Sequence, residues 1–560
     1  MAGKRVLITG GVAGGAACAA RLRRLDEQAE IFIYERTADV SFANCGLPYY
    51  VGDVIHDECK LLLASPELFR KRFNIEVRTR HEVVAIDRAR RTVTVKNLET
   101  GAEATEPYDA LVLSPGAAPI RPPWPGIDLP GIFTLRSVPD SREIRNWIET
   151  QKPRTAVVVG GGFIGLEMAE NLRHRGVDVT IVELANQVMP PLDAEMAEYA
   201  RQHLEAQSVN LVLGEGVVGF ERNAGGGLAV RTQSGASFDA GLVVLSIGVR
   251  PETQLARAAN LDIGERGGIR VDDRMQTSDP KIWAIGDAVE VRNWITGQWE
   301  MVPLAGPANR QGRVAADAIC GRASTFRGVQ GTAVCGFFGL TVALTGATEK
   351  SLRRAGIADF DAVYLHPGHH VGYYPGAQAI HLKLLFRRSD GRVLGAQAAG
   401  EQGVERRIDV IAQAIQMKAT VFDLEEAELC YAPQYGGAKD PVNFAGMIAS
   451  NVVRRDMELA PWSDLGSTSA FLLDVREPHE FRAGAIPGAV NIPLGELRAR
   501  VAELPPSKEI WVNCQVGQRA YYACRILAAH GFRVRNLSGG YNTFRVLFPG
   551  DANPHAKEQG

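Results

Sequence analysis

The chain has 560 residues, too many for one hydrophobic core, and at about 150 residues per domain three or four domains are expected. Hydrophobic residues make up 46% and charged residues 22%, which excludes wholesale disorder and a fibrous repeat. Lys plus Arg number 62 against 64 for Asp plus Glu, a formal charge of −2, so no surplus of cations points to nucleic acid. No uncharged apolar run reaches about 18 residues, so no membrane span is expected. Lys4 and Arg5 precede an apolar stretch that superficially resembles a signal peptide, but the strand Ile31-Phe32-Ile33-Tyr34-Glu35 would lose its partner on cleavage, and a cytoplasmic protein is expected. The 8 cysteines form neither a dense framework nor a CxxC pair, and no metal site is expected.

One design occurs twice. Arg5-Val6-Leu7-Ile8-Thr9 runs into the glycine turn Gly10-Gly11-Val12-Ala13-Gly14-Gly15, then a helix to about Leu25 and a strand ending at Glu35. Thr155-Ala156-Val157-Val158-Val159 runs into Gly160-Gly161-Gly162-Phe163-Ile164-Gly165, then a helix to about His174 and a strand ending at Glu183. Strand, glycine turn, helix and a strand with a terminal carboxylate form the dinucleotide fingerprint in its required context. Glycine admits a pyrophosphate to the backbone, the helix start supplies unpaired N–H groups, and the carboxylate accepts from ribose hydroxyls. The second copy matches fully at Gly160, Gly162 and Gly165, whereas Val12 holds the middle position of the first.

The runs 110–113 and 242–245 read as buried strands stopped by small residues. In Ile282-Trp283-Ala284-Ile285-Gly286-Asp287 a strand delivers a carboxylate beside a glycine, suited to a polar chain such as ribitol. From about Arg322, alternating stretches such as Ile380-His381-Leu382-Lys383-Leu384-Leu385-Phe386 suggest antiparallel strands, with helical periodicity near Ile408–Lys418. A polar stretch with Pro461 and Gly466 reads as a linker to a compact α/β unit, and the tail from Gly550 is expected to fray.

Together these residues resemble the two-dinucleotide-binding flavoprotein disulfide reductases over roughly residues 1–450. The resemblance implies an α/β chain with two doubly wound domains, FAD-binding at 1–150 (completed by 271–322) and NAD(P)-binding at 151–270. An α+β dimerisation domain at 323–450, a linker at 451–465 and a C-terminal α/β domain at 466–555 follow. It also implies that Gly10, Gly15 and Glu35 contact the ADP part of FAD, Asp287 its ribitol, and Gly160, Gly162, Gly165 and Glu183 the nicotinamide nucleotide. An acidic Glu183 favours NADH, while Arg173 and Arg175 nearby leave NADPH open.

Ser41-Phe42-Ala43-Asn44-Cys45-Gly46-Leu47-Pro48-Tyr49-Tyr50 supplies one cysteine where glutathione-type reductases carry two, and it is similar to the string of coenzyme A disulfide reductases. A single cysteine can only be oxidised to a mixed disulfide, a persulfide or a sulfenic acid. The related NADH oxidases and peroxidases, the alternative reading, carry a histidine where this chain has Ala13. Tyr431-Ala432-Pro433-Gln434-Tyr435-Gly436-Gly437 resembles the dimer-domain signature of the coenzyme A enzymes, in which tyrosines of the partner subunit reach the cysteine. By that resemblance Tyr431 is one, and Tyr373 is favoured over Tyr374 as the other. Coenzyme A phosphates also need cations, for which Arg21 and Lys71 are chosen.

Leu472-Leu473-Asp474-Val475-Arg476-Glu477-Pro478 and the loop Cys514-Gln515-Val516-Gly517-Gln518-Arg519 resemble the rhodanese domain. Backbone N–H groups of such a loop, the following helix and Arg519 favour an anionic sulfur on Cys514. The expected function is an NADH-dependent flavoprotein homodimer, with no nucleic-acid or membrane partner. It reduces persulfide, polysulfide or coenzyme A disulfide at Cys45, with Cys514 relaying sulfane sulfur. The reading from another class is a redox-sensing sulfur carrier without fast turnover.

Overall fold

The structure is a computed structural model that describes residues 3–223 and 225–550. Two units divide the chain, one holding the residues up to Val188 with Ser208–Val329, the other Met189–Gln207 with the chain from Gln330 onward. The last residues of the expected C-terminal domain, 551–555, and the tail expected to fray lie outside the described residues.

Two five-stranded parallel sheets organise the first unit. In one, Arg5–Thr9 is central between Glu30–Glu35 and Ala110–Leu113, with Glu76–Thr79 and Ile282–Ala284 at the edges. Val6, Leu7 and Ile8 are fully buried, as a strand in an all-parallel sheet must be. The helix Ala13–Leu25 meets Ala305–Ile319 backbone to backbone: a Cβ on Gly312 would lie 2.5 Å from the Gly14 carbonyl oxygen. The second sheet repeats the plan, with Thr155–Val159 between Asp178–Glu183 and Leu242–Leu245, and Asn210–Leu213 and Ile132–Thr134 outside. Ile132–Thr134 pairs with Leu242–Leu245 although it precedes the boundary read at residue 150, because three residues are too few to carry a pattern.

In the second unit Ala333–Phe337, Leu340–Gly346, Val393–Gly400, Ile380–Phe386 and Asp361–Leu365 form one antiparallel sheet in that order. The helix Val404–Gln416 starts ahead of the expected Ile408, since Gly403 in the left-handed region (φ 69°) turns the chain into it. The C-terminal module is a four-stranded parallel sheet of Val490–Asn491, Phe471–Asp474, Ile510–Asn513 and Val534–Asn536. Residues 451–465, read as a linker, are largely built into structure. Residues 451–453 finish the helix Pro441–Val453, Leu459 bridges Asn536, and buried Trp462 donates its indole N–H to the Ser538 carbonyl. The polar composition there hid the buried Ala460 and Trp462. Tyr364 N–H in turn donates to Ser538 Oγ (2.9 Å), and His366 Nε2 lies 2.9 Å from Thr543 Oγ1, so the module is fastened to the antiparallel sheet. Among the described residues no helix is long and apolar enough to cross a membrane.

The helix Ala194–Ala206 belongs to this unit rather than to the nucleotide domain of its sequence neighbours. An ion cluster explains why. Lys383, fully buried in the sheet, places Nζ 2.8 Å from Asp193, 2.7 Å from Glu349 and 2.5 Å from Glu195, and Tyr364 O–H donates to Glu195. The ammonium fills the centre of three carboxylates. Burial raises the Asp193 carboxyl, but Lys383 and the hydrogen bonds of Lys383 and Gln397 outweigh it and hold it below its usual value. Its stabilising contribution is therefore full above the ordinary carboxylate range and is lost as pH falls through the lowered value. Lys383→Met leaves these carboxylates uncompensated and is expected to cost about 3–5 kcal/mol in urea unfolding at neutral pH, a loss that shrinks in acid.

Candidate functional site

Both glycine turns are built alike. Gly10 (φ 86°) and Gly160 (φ 107°) occupy the left-handed region, and a Cβ on Gly15 or Gly165 would lie 1.9 or 2.0 Å from the carbonyl oxygen of Gly10 or Gly160. Neither helix that follows, Ala13–Leu25 or Phe163–His174, has a side-chain cap, so their first N–H groups are left for a ligand. Glu35 Oε2 accepts from Gly11 N–H (2.9 Å) and Oε1 from Thr37 N–H (3.0 Å). Glu183 repeats this, with Oε2 on Gly161 N–H and Oε1 on Ala185 N–H, both at 2.7 Å. Each carboxylate retains lone-pair sites for ribose hydroxyls.

These residues fit the two nucleotides. Arg136 donates from Nη2 to the Pro115 carbonyl beside Gly116, and its buried Nη1 makes no hydrogen bond but lies 3.6 Å from Glu252; a cation with an unused donor suits a pyrophosphate. Asp287, just beyond the edge strand Ile282–Ala284 of the first sheet, is raised by burial against the charge of Arg136. At the second turn a Cβ on Gly162 would meet nothing within 4 Å, which leaves an open cradle. Arg173 pairs with Asp178, and Arg175 donates to the Val51 carbonyl (3.1 Å) and lies 3.6 Å from Glu149. Both arginines that had left a 2′-phosphate open are thus engaged elsewhere.

Cys45 sits in the short turn Asn44–Gly46 that feeds the helix Leu47–Val51, and its side chain is exposed. That helix packs on Phe163–His174. Tyr49 O–H reaches Glu167 Oε1 at 3.5 Å. Partial burial first, then the charges of Glu167 and Asp287, push the Cys45 thiol upward. Burial drives Glu167 itself up to about 7, partly opposed by the Tyr49 bond. Cys45 therefore feels both the carboxylate read as the ribitol ligand and one from the nicotinamide helix. Sequence reasoning passed over Glu167 and Arg136; the available signal for the first was its place two residues after Gly165.

On the second unit, Tyr373 and Tyr431 share a hydrogen bond of 2.8 Å between their hydroxyls and are both exposed. Tyr374 instead sets its ring edge-on to His370, so of the two candidates Tyr373 stands beside Tyr431. Buried Arg407 holds the two tyrosine loops together. Its Nη2 donates to the His369 carbonyl (2.7 Å) and to Asp440 (2.8 Å), and Val371 N–H donates to the Gly436 carbonyl.

In the C-terminal module Cys514 is buried and its Sγ accepts from Gly517 N–H at 3.2 Å. The loop is pinned from behind, Tyr541 N–H donating to the Cys514 carbonyl and Asn542 N–H to that of Gln515. Arg519 is raised first by its hydrogen bond to Glu480, to which it forms two bonds at 2.6 and 2.7 Å, and to a lesser extent by Cys514, so its charge is shared. Of the cations chosen for coenzyme A, Lys71 is exposed on the helix Pro66–Phe73, whereas Arg21 is paired with Asp317 at 2.8 Å inside its own unit.

Family models agree with this division. Pyridine nucleotide-disulphide oxidoreductase matches residues 4–312, its dimerisation domain 332–440, and a rhodanese-like domain 460–546. A coenzyme A disulfide reductase of Staphylococcus haemolyticus is 35% identical over 450 residues, 80% of this chain and 100% of its own. The crystal structure of reduced Bacillus anthracis CoADR-RHD superposes with a TM-score of 0.96 at 47% identity, covering 98% of this chain and 99% of that one. A NAD-dependent persulfide reductase from A. fulgidus gives a TM-score of 0.88 at 37% identity, over 96% and 100% of the two chains. The chain belongs to the pyridine nucleotide-disulphide oxidoreductase family, as an FAD- and NAD(H)-binding enzyme of the coenzyme A disulfide reductase group that carries a C-terminal rhodanese domain.

Proposed function

We propose that this enzyme reduces persulfides and disulfides of coenzyme A at Cys45 and that Cys514 supplies sulfane sulfur to the same substrate pool. The observation that carries the reading is an exposed cysteine without a disulfide whose thiol is raised by Glu167 of one nucleotide domain and Asp287 of the other. The Cys45 thiolate attacks coenzyme A disulfide, forming a Cys45–coenzyme A mixed disulfide and releasing coenzyme A thiolate. With coenzyme A persulfide, attack on the inner sulfur forms the same mixed disulfide and releases hydrosulfide. FAD and NADH, when bound, supply the electron pair that cleaves the mixed disulfide. Ala13 opens the first helix with a methyl group, which offers no proton donor for oxygen or peroxide chemistry.

Sγ of Cys45 donates to the Asn44 amide oxygen at 3.9 Å, and the charged groups that act on it are carboxylates, which oppose a thiolate. Hydrogen-bond donors for the sulfur and its leaving group come, in this reading, from Tyr373 and Tyr431 of the partner subunit in a homodimer. Both phenols are exposed on their own unit, and the bond to Tyr431 raises the Tyr373 phenol, keeping it a donor. Arg407 positions the pair by clamping their loops.

Glu167 sets the pH response. Below about 7 it is neutral and does not repel the thiolate; above, its charge does. Glu167→Gln is therefore expected to move the pH dependence of Cys45 alkylation by iodoacetamide to lower pH; an unmoved or raised midpoint contradicts the assignment. In steady-state NADH oxidation, Cys45→Ser should lower turnover with coenzyme A disulfide and persulfide by at least roughly 1,000-fold. Cys514→Ser should leave coenzyme A disulfide reduction unchanged while slowing polysulfide reduction; full activity of Cys45→Ser would refute the function. The Tyr373→Phe, Tyr431→Phe double variant should lose about 100-fold in kcat. Co-expression of that chain with Cys45→Ser should restore activity in the mixed dimer, which has one intact site. Recovery absent from a purified mixed dimer would place the tyrosines on the wrong subunit.

A further inference from the structure

We propose that Glu480 selects the sulfur donor of Cys514 by charge, admitting persulfides with one negative charge and disfavouring the thiosulfate dianion. The inference deepens the reading of the C-terminal module as a sulfurtransferase and leaves the reaction at Cys45 aside.

Two guanidinium groups touch the sulfur loop, and each carries its own carboxylate. Arg519, the last loop residue, gives both terminal nitrogens to Glu480, at 2.6 and 2.7 Å. Arg476, whose Nη1 donates to Gln515 Oε1 (3.1 Å), is bound through Nε and Nη2 to the fully buried Asp474. Glu480 is fixed from its other side as well, because Oε2 accepts from Glu477 N–H at 2.9 Å in a capping box at the start of Pro478–Arg482. The hydrogen bonds of Arg519 hold its carboxyl down to about 2, so it is charged at any working pH. Neither Glu480 nor Arg519 is sealed away; their side chains are 23% and 30% exposed, so a charged donor in solution meets both.

What remains for negative charge is modest. Gly517 N–H points at Sγ, Arg519 adds a charge already shared, and the helix Gln518–Ala529 starts without a side-chain cap. These suit the single charge of a thiolate or a bound persulfide. Transfer from a persulfide monoanion keeps one negative charge throughout: R–S–S⁻ takes the thiol proton of Cys514, Cys514–S⁻ attacks the outer sulfur of the resulting R–S–SH, a new S–S bond forms as the old one breaks, and RSH leaves with the proton, giving Cys514–S–S⁻. Thiosulfate delivers the same sulfur, but its dianion must approach Glu480 and sulfite must leave past it with two charges. No net oxidation occurs in either case; the sulfane sulfur moves as a neutral atom. Cyanide then takes it from Cys514–S–S⁻ as thiocyanate and restores the thiolate.

The test compares thiosulfate with 2-hydroxyethyl persulfide as donor, cyanide as acceptor, in the full-length holoenzyme. Glu480→Gln keeps the hydrogen-bonding shape and removes the charge. Its thiosulfate-to-persulfide ratio of kcat/KM should rise roughly 10-fold, through a lower thiosulfate KM. Glu480→Asp, which keeps the charge, should leave the ratio near that of the unaltered enzyme. In the unaltered enzyme the same ratio should climb as added salt screens the repulsion. A ratio unchanged in Glu480→Gln, one shifted as far by Glu480→Asp, or one that falls with salt would each overturn the proposal. Cys514→Ser, which should abolish thiocyanate formation from both donors, tests the sulfurtransferase reading separately, and NADH oxidation with coenzyme A disulfide reports on the flavin half alone.

Discussion

A thiolate at Cys45 is opposed by its own surroundings, and much of the site follows from that. Burial raises the thiol, Glu167 and Asp287 raise it further, and only a backbone hydrogen bond of its turn acts the other way. Those carboxylates cannot be dispensed with if Asp287 holds the ribitol chain and Glu167 lies on the helix that opens the nicotinamide cradle. In the proposed mechanism hydrogen-bond and proton donors must then be imported. The one exposed pair of phenols standing ready in hydrogen-bond contact is Tyr373 with Tyr431, among the described residues, and their unit bears the dimerisation-domain match. A dimer is thus a chemical requirement of the cysteine in the proposed mechanism, beyond the burial of an apolar face.

The two nucleotide turns were legible in the sequence because their constraints are local. Gly10 and Gly160 must be left-handed, Gly15 and Gly165 must pass a carbonyl, and the carboxylates close their strands at Glu35 and Glu183. Such rules act over a few residues and leave fixed spacings. The same holds for the sulfur loop, whose six residues frame one sulfur. What stayed hidden was long-range. Arg136, in the bend before the helix Val138–Gln151, reaches the Pro115 carbonyl, Arg407 joins His369 to the distant Asp440, and Lys383 gathers Asp193 and Glu195 from one segment and Glu349 from another. A lone arginine or lysine in sequence carries no sign of its partner. Residues 451–465 misled for a related reason: two buried side chains among polar ones decide packing without changing the average composition.

Arg21 shows the limit of reading cations one at a time. It lies on the first helix, where a phosphate-binding residue would be sought, and its helical neighbours share its charge. Yet Asp317, on the helix that crosses so closely at Gly312, accepts both from Arg21 and from Ser324. The close crossing that covers the first nucleotide domain is locked by this pair. Lys71, on a separate exposed helix, is under no such constraint.

The two reactive sulfurs are held in opposite electrostatic settings, and this fits a division of labour. Cys514 is enclosed, receives Gly517 N–H directly and acts on Arg519, a setting that in the proposed function suits a stored persulfide anion. Cys45 is open and faces carboxylates, so a thiolate left there after reduction is held at higher energy and is the better nucleophile when the next disulfide arrives. A sulfur atom moving between them would pass from a site built to keep an anion to one built to lose it. The fastening of the C-terminal module through Ser538, Thr543 and Trp462 adds a geometric condition. With 451–465 largely built into structure, free swinging of that module on a slack tether does not explain transfer. In the proposed function the mobile element is then the carrier thiol itself, which for coenzyme A is a long arm with the sulfur at its end.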